Sequence, residues 1–116
     1  ELVDRLNAAG LEILGTIART PVWAGGGQSD GRFRFHPPRE PEEFAQFAAR
    51  LAGRYRGQVS AWEIWNEPNS NNFWYPQADA GAYMALLHAA YRAIKAAAPK
   101  VPVLHGGIAC CREHRI

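Results

Sequence analysis

Trp62-Glu63-Ile64-Trp65-Asn66-Glu67-Pro68-Asn69 is a β-rich run that ends abruptly at a polar corner closed by proline. Side chains alternate along a strand, so Val59, Ala61, Glu63 and Trp65 are expected on one face and Trp62 and Ile64 on the other. Glu67 falls just past the strand end. Pro68 restricts the residue before it to extended backbone, which is expected to fix where the Glu67 carboxylate points.

Outward from this run, the same pattern repeats on both sides. Asn66 to Gln77 is irregular, rich in asparagine, proline and aromatic residues. Asp79 suits the N-cap of a helix whose apolar face is Tyr83, Leu86, Leu87, Ala90, Tyr91 and Ile94, with Pro99 closing it. Val101 to Gly107 reads as the following strand. On the amino-terminal side, Pro41 with Glu42 and Glu43 suits a helix's first turn. Phe44, Phe47, Ala48, Leu51 and Tyr55 continue it at helical spacing, and Gly57 ends it. Leu11 to Ala18 reads as another strand, apolar on both faces as a parallel strand under helices would be. Before it, Leu2, Val3, Leu6 and Ala9 form a short helical stripe stopped by Gly10. Arg19 to Arg39 has no periodicity and is broken by Pro21, Gly25-Gly26-Gly27, Gly31 and Pro37-Pro38.

Strands alternating with amphipathic helices imply parallel, right-handed βαβ units. Both long irregular segments follow strands, whereas the connections entering strands are short. In α/β folds ligands bind at that carboxyl edge.

Composition excludes other classes. The chain has 116 residues, 47% hydrophobic and 21% charged, which fits one small globular domain. A net charge of +2, with Arg32, Arg34 and Arg39 in one segment and Arg50, Arg54 and Arg56 in another, gives no basic platform for nucleic acid. No apolar stretch approaches the roughly 18 residues of a membrane span. Cys110 and Cys111 are adjacent, too close to staple to each other in the usual geometry, and with His114 fall short of a structural zinc set. No metal or cofactor is expected. The chain opens on Glu1-Leu2-Val3-Asp4, charged and without a signal peptide; localisation is left open, secreted if the full-length protein carries such a leader.

The run Trp62 to Asn69 resembles the strand-four signature of the clan of retaining (β/α)8-barrel glycoside hydrolases. Within it the resemblance is to the cellulase-like and xylosidase-like members, families five and thirty-nine. Gly15-Thr16-Ile17 through Thr20-Pro21-Val22-Trp23 is similar to the end of strand three. Val103-Leu104-His105-Gly106-Gly107 is similar to strand five. The resemblance implies a partial (β/α)8 TIM barrel comprising strands three to five. Residues 1–109 would be a fragment of the catalytic barrel and 110–116 an irregular tail. It implies Glu67 as general acid/base, Asn66 as a hydrogen-bond partner of the sugar hydroxyl beside the reacting carbon, and Trp23 and Trp74 as sugar-stacking platforms. A general acid benefits from a carboxyl held protonated, and Trp65 and Trp74 are expected to provide apolar surroundings for it. The resemblance implies a carbohydrate partner, and neither nucleic acid nor membrane is expected.

A full barrel takes about 250 residues. The clan's nucleophile comes from strand seven, and no residue here matches it. Glu12, Glu42, Glu43 and Glu113 are all wrongly placed. The chain is therefore expected to be an interior piece of a larger enzyme, inactive and prone to associate by itself. Two other readings stand beside this one: a non-catalytic carbohydrate-binding barrel remnant, and an unrelated βαβ interaction module.

Simpler roles fit several residues. Glu63, deeper on the strand, is expected in an internal ion pair, with Arg19 as a partner. Trp62 fits the core under a helix. Tyr75 fits either a loop contact or a sugar contact, and His105 either cleft or core. His36 and His88 read as loop and helix-surface residues. Gly25-Gly26-Gly27 lacks the spacing of a phosphate cradle.

Overall fold

The computed structural model describes residues 1–26 and 31–110. Gly27 of the glycine run, and Cys111, Glu113 and His114 of the carboxyl tail, lie outside the described residues. Along the chain come α1 (Leu2–Ala8), β1 (Leu14–Ile17), a single 3-10 turn (Phe33–Phe35), α2 (Pro41–Arg54), β2 (Ala61–Ile64), α3 (Ala80–Ala97) and β3 (Val103–His105). The strands form one parallel sheet in the order β1-β2-β3, with Ile17 opposite Ile64 and Ile64 opposite His105. Sequential strands paired in parallel across a helix are two consecutive βαβ units.

Local chemistry sets the helix ends. Pro41 opens α2 with Glu42 and Glu43 in its first turn, where carboxylates meet the positive end of the helix. The Asp79 side chain caps α3 by accepting from Ala82 N–H at 2.8 Å. Gly57, at φ +78°, turns the chain out of α2 toward β2.

Both helices pack side by side on one face of the sheet. Phe44, Ala45, Ala48 and Ala52 of α2 are buried, as are Tyr83, Leu86, Ala90 and Ile94 of α3. Alanine at the contact lets the helices approach closely, while Trp62, Ile64 and Ile17 fill the layer between them and the strands. Each such large side chain withdrawn from water contributes about 1.5–3 kcal/mol. The α2 stripe is rotated slightly from the expected one: Ala45 is inside and Phe47 is 55% exposed. Tyr91 of α3 likewise faces outward.

The opposite sheet face is open. Leu14 is 53% exposed and Leu104 45%, so the two-sided burial expected of β1 is not realised among the described residues, where the helix side alone has a cover. Among the described residues no helix is long and apolar enough to cross a membrane.

Candidate functional site

The corner after β2 is built on unusual backbone. Trp65 has φ +69° and Glu67 φ +47°, left-handed values that non-glycine residues seldom adopt. The extended conformation expected for Glu67 ahead of Pro68 is therefore not the one found. Such backbone persists only where its surroundings hold it, and it concentrates at working sites.

Three ties hold this corner. Trp65 N–H donates to Ile17 O at 2.8 Å, joining it to β1. Glu67 N–H donates to Gly107 O at 2.8 Å, joining it to the segment after β3. Ser70 N–H then donates to Glu67 O at 2.9 Å and turns the chain back. Glu67 is half-buried and Asn66 beside it is exposed.

The left-handed turn at Trp65 breaks the side-to-side alternation. Trp65 is 1% exposed and faces the helix-covered core instead of sharing a face with Glu63. Its indole N–H donates to Phe73 O at 2.7 Å. Trp74 follows it inside. At 2% exposure, Trp74 stacks edge-on against Trp65 (centroids 5.3 Å apart) and Tyr83 (5.8 Å). It was expected as a sugar platform, but its ring is packed within the core. The turn formed by Phe73 and Trp74 N–H donating to Ser70 O carries it there. Trp23 is the opposite case. It is 70% exposed in the loop after β1.

Glu63 makes no ion pair with Arg19. Its two oxygens accept from the Thr16 hydroxyl at 2.8 Å and from Gly107 N–H at 3.0 Å. A carboxylate satisfied by neutral donors from β1 on one side and from the segment after β3 on the other has no need of the guanidinium. Arg19, itself at φ +75°, lies over the Phe35 ring at 5.3 Å instead.

The two long loops interlock above the strand ends. Phe35 meets Phe73 edge to face, and Tyr75 N–H donates to Phe35 O at 3.0 Å. Tyr75 also packs edge-on against His36, while Arg32 lies over its ring and bonds Asn72 Oδ1 at 2.8 Å. These partners make Tyr75 and His36 members of the loop scaffold. Asn69 ties the loop to the segment after β3 twice, donating to Ala109 O at 3.0 Å and accepting from Ala109 N–H at 2.9 Å. His105 is exposed, with Nδ1 2.8 Å from Gly106 O.

Between the loops and the ends of β1 and β2 lies a cleft of about 230 Å³, lined by Thr16, Ala18, Arg19, Phe35, Trp65, Asn66 and Phe73. A larger groove of about 430 Å³ runs along α2 and includes Trp23, Thr20, Phe44 and Phe47. Asn66 and Trp23 thus border different depressions, with Arg19 reaching both. Among the described residues no group of three or more His, Cys, Asp or Glu is placed to hold a metal ion.

Four residues in this network escaped sequence reading: Thr16, Asn69, Tyr83 and Gly107. Signals pointed to the last two alone. A tyrosine in a buried helical stripe needs a partner for its hydroxyl, and a glycine pair ending a strand marks close backbone approach.

Residues 4–113 match the profile of Glycosyl hydrolases family 39. The fold superposes with a TM-score of 0.70 on a monomeric β-xylosidase from Caulobacter crescentus CB15, at 27% identity, covering 88% of this chain and 22% of that one. It superposes equally, at 27% identity and TM-score 0.70, on a GH39 β-xylosidase from Caulobacter crescentus, covering 88% of this chain and 25% of the other. The chain therefore spans a quarter or less of the length of these structures, and its strands and helices are a partial (β/α)8 barrel. Comparison with curated proteins returns no match. Of the two families that the sequence resembles, the match supports thirty-nine and not five.

Proposed function

The chain belongs to glycosyl hydrolases family 39, and from that premise we propose that it carries the acid/base half of a retaining O-glycosidase site. Glu67 is the proposed proton donor. The observation that carries this reading is its place: the carboxyl end of the central strand, on left-handed backbone tied to Gly107 O, beside a cleft bordered by Asn66.

In the first step Glu67 gives its proton to the leaving oxygen while a nucleophilic carboxylate, which this reading places outside the 116 residues, bonds to the sugar's anomeric carbon. In the second, the Glu67 carboxylate takes a proton from water as that water displaces the nucleophile. Asn66 donates to the hydroxyl next to the reacting carbon. Trp23, with its indole open to solvent, offers a stacking surface farther out. β-Xylosides are the substrate class to test first, since solved structures at 27% identity are β-xylosidases.

The test uses the full natural chain that carries this segment. Glu67→Gln is expected to lower kcat/KM for phenyl β-xyloside by about 10²–10⁴-fold. With Glu67→Ala and the activated 2,4-dinitrophenyl β-xyloside, whose first step needs no acid, added azide replaces water as the second nucleophile and needs no base, so turnover rises and yields a glycosyl azide of retained configuration. Full activity in Glu67→Gln would overturn the proposal.

A further inference from the structure

The register of β2 and β3 specifies which hydrogen bond comes next along the ladder. Trp62 stands opposite Val103, and its N–H donates to Pro102 O at 3.0 Å. Ile64 stands opposite His105, so the parallel pattern continued one step has Gly106 N–H donating to Ile64 O. The hydroxyl of Tyr83 occupies that place. Gly106 N–H donates to it at 2.7 Å, and it donates to Ile64 O at 2.9 Å. Tyr83 reaches there from the first turns of α3 and is 7% exposed. Beyond this point the strands meet again directly, through Glu67 N–H and Gly107 O.

We propose that Tyr83 is a positioning residue for Glu67, its hydroxyl spliced into the β2–β3 ladder so as to set the separation from which Gly107 O captures Glu67 N–H. The inference rests on the reading of Glu67 as acid/base. Two of the three residues between Ile64 and Pro68 have left-handed backbone, so the corner cannot hold its own shape. It is gripped at its start by Tyr83 on Ile64 O and at its end by Gly107 O on Glu67 N–H. The same Gly107 donates to Glu63, which links the barrel-facing carboxylate to the assembly. Gly106 is part of the device, because a Cβ there would stand 2.8 Å from both Ile64 O and Trp65 O. Burial, then the nearby Glu63 charge, raises the pKa of Tyr83, while the Gly106 N–H lowers it. A neutral phenol hydroxyl can both accept and donate, and the net rise extends that state further into the alkaline range.

A displaced acid harms reactions that need a proton at the leaving oxygen and spares those that do not. In the full natural chain, kcat/KM is measured for phenyl β-xyloside and for 2,4-dinitrophenyl β-xyloside, whose leaving group departs without protonation. Tyr83→Phe is expected to lower the phenyl value about ten- to hundredfold and the dinitrophenyl value less than about threefold. The ratio of the two does not depend on the fraction of enzyme folded. Equal losses on both substrates, or none, would overturn the proposal. Where phenylalanine prevents folding, 4-aminophenylalanine at 83 fills the volume and still donates to Ile64 O. It is expected to give a smaller loss of the same selectivity. Glu67→Gln is run in parallel: no selectivity there sinks the acid/base reading itself, whereas selectivity there and not at Tyr83 sinks only the positioning role.

Discussion

Gly15 lies directly against the Trp62 indole: a Cβ at position 15 would stand 2.4 Å from Cζ3 and 2.6 Å from Cε3 of that ring. The two residues face each other across the β1–β2 register, so the glycine is the space the tryptophan occupies. Gly15→Ala is expected to destabilise the full natural chain by about 1–3 kcal/mol through overpacking. In denaturant titrations, the Gly15→Ala/Trp62→Leu pair should be more stable than the sum of the single changes implies, because the smaller side chain frees the site. Strict additivity would show that the contact does not limit packing.

The two tryptophans expected to act alike should separate cleanly. Trp74→Ala empties a buried position between Trp65 and Tyr83 and is expected to cost about 3–5 kcal/mol. Trp23→Ala, at an exposed ring, should change stability by less than about 0.5 kcal/mol. If Trp23 stacks on sugar, its replacement raises KM while the midpoint of unfolding stays in place. A large stability loss at Trp23 would contradict its exposure.

Asn69→Ala removes both hydrogen bonds to Ala109 and with them the clamp between the loops after β2 and β3. Each such bond contributes about 0.5–1.5 kcal/mol. Hydrogen exchange over residues 107–110 is expected to quicken in this variant, with exchange over α2 unchanged. Unaltered exchange over 107–110 would mean the segment is held by other contacts.

Much of this was legible in the sequence, and the rest was hidden for identifiable reasons. Pro41, Asp79 and Gly57 mark their helix boundaries because capping and left-handed turns are local chemistry. The parallel order of strands follows from alternation with helices. Trp65 defeated the reading because alternation assumes extended backbone, and one left-handed residue reverses the face. Trp74 lay in a segment without periodicity, where the Ser70-centred turn, and no pattern of residues, carries the ring inward. Glu63 was given a charged partner because burial of an acid asks for compensation; the Thr16 hydroxyl and a backbone N–H of Gly107 supply it across 47 and 44 residues. Tyr83 was read as one apolar position among six; a buried hydroxyl asks for a partner, but nothing local says that the partner is a gap in a strand ladder.

Alkaline pH offers a separate check on Tyr83. Its pKa lies above the ordinary 10.0, raised first by burial and then by Glu63, with the Gly106 N–H acting against the rise. A raised folded-state value means that the stabilisation is fully present below the unfolded pKa. It is lost as pH climbs through the folded one. Denaturant midpoints of the full natural chain should therefore be unaffected by this group below about pH 10 and fall above it. Tyr83→Phe should lack that part of the fall. An identical alkaline decline in both proteins would assign it to other groups.

The isolated 116 residues are expected to hydrolyse aryl β-xylosides negligibly and to associate, on the proposal that the nucleophile lies outside them and because Leu14, Leu104 and Ile108 are exposed. Size-exclusion chromatography and a turnover assay on the purified segment test both. A stable monomer whose hydrolysis is lost on Glu67→Gln would contradict the expectation.

Strand order in the sheet equals order in the chain: β1, β2, β3 are neighbours in both. Consequently a ribosome can lay this sheet down as it is read, each new strand docking on the one just finished. Thr16 meets Glu63 after 47 residues of synthesis, about 2–9 seconds at common elongation speeds. During that interval the trailing edge of the growing sheet is bare, and the emerging helix shields one face while the other stays open. The corner at Glu67 can close only once Gly107 has left the tunnel, so its geometry is among the later features of this segment to form.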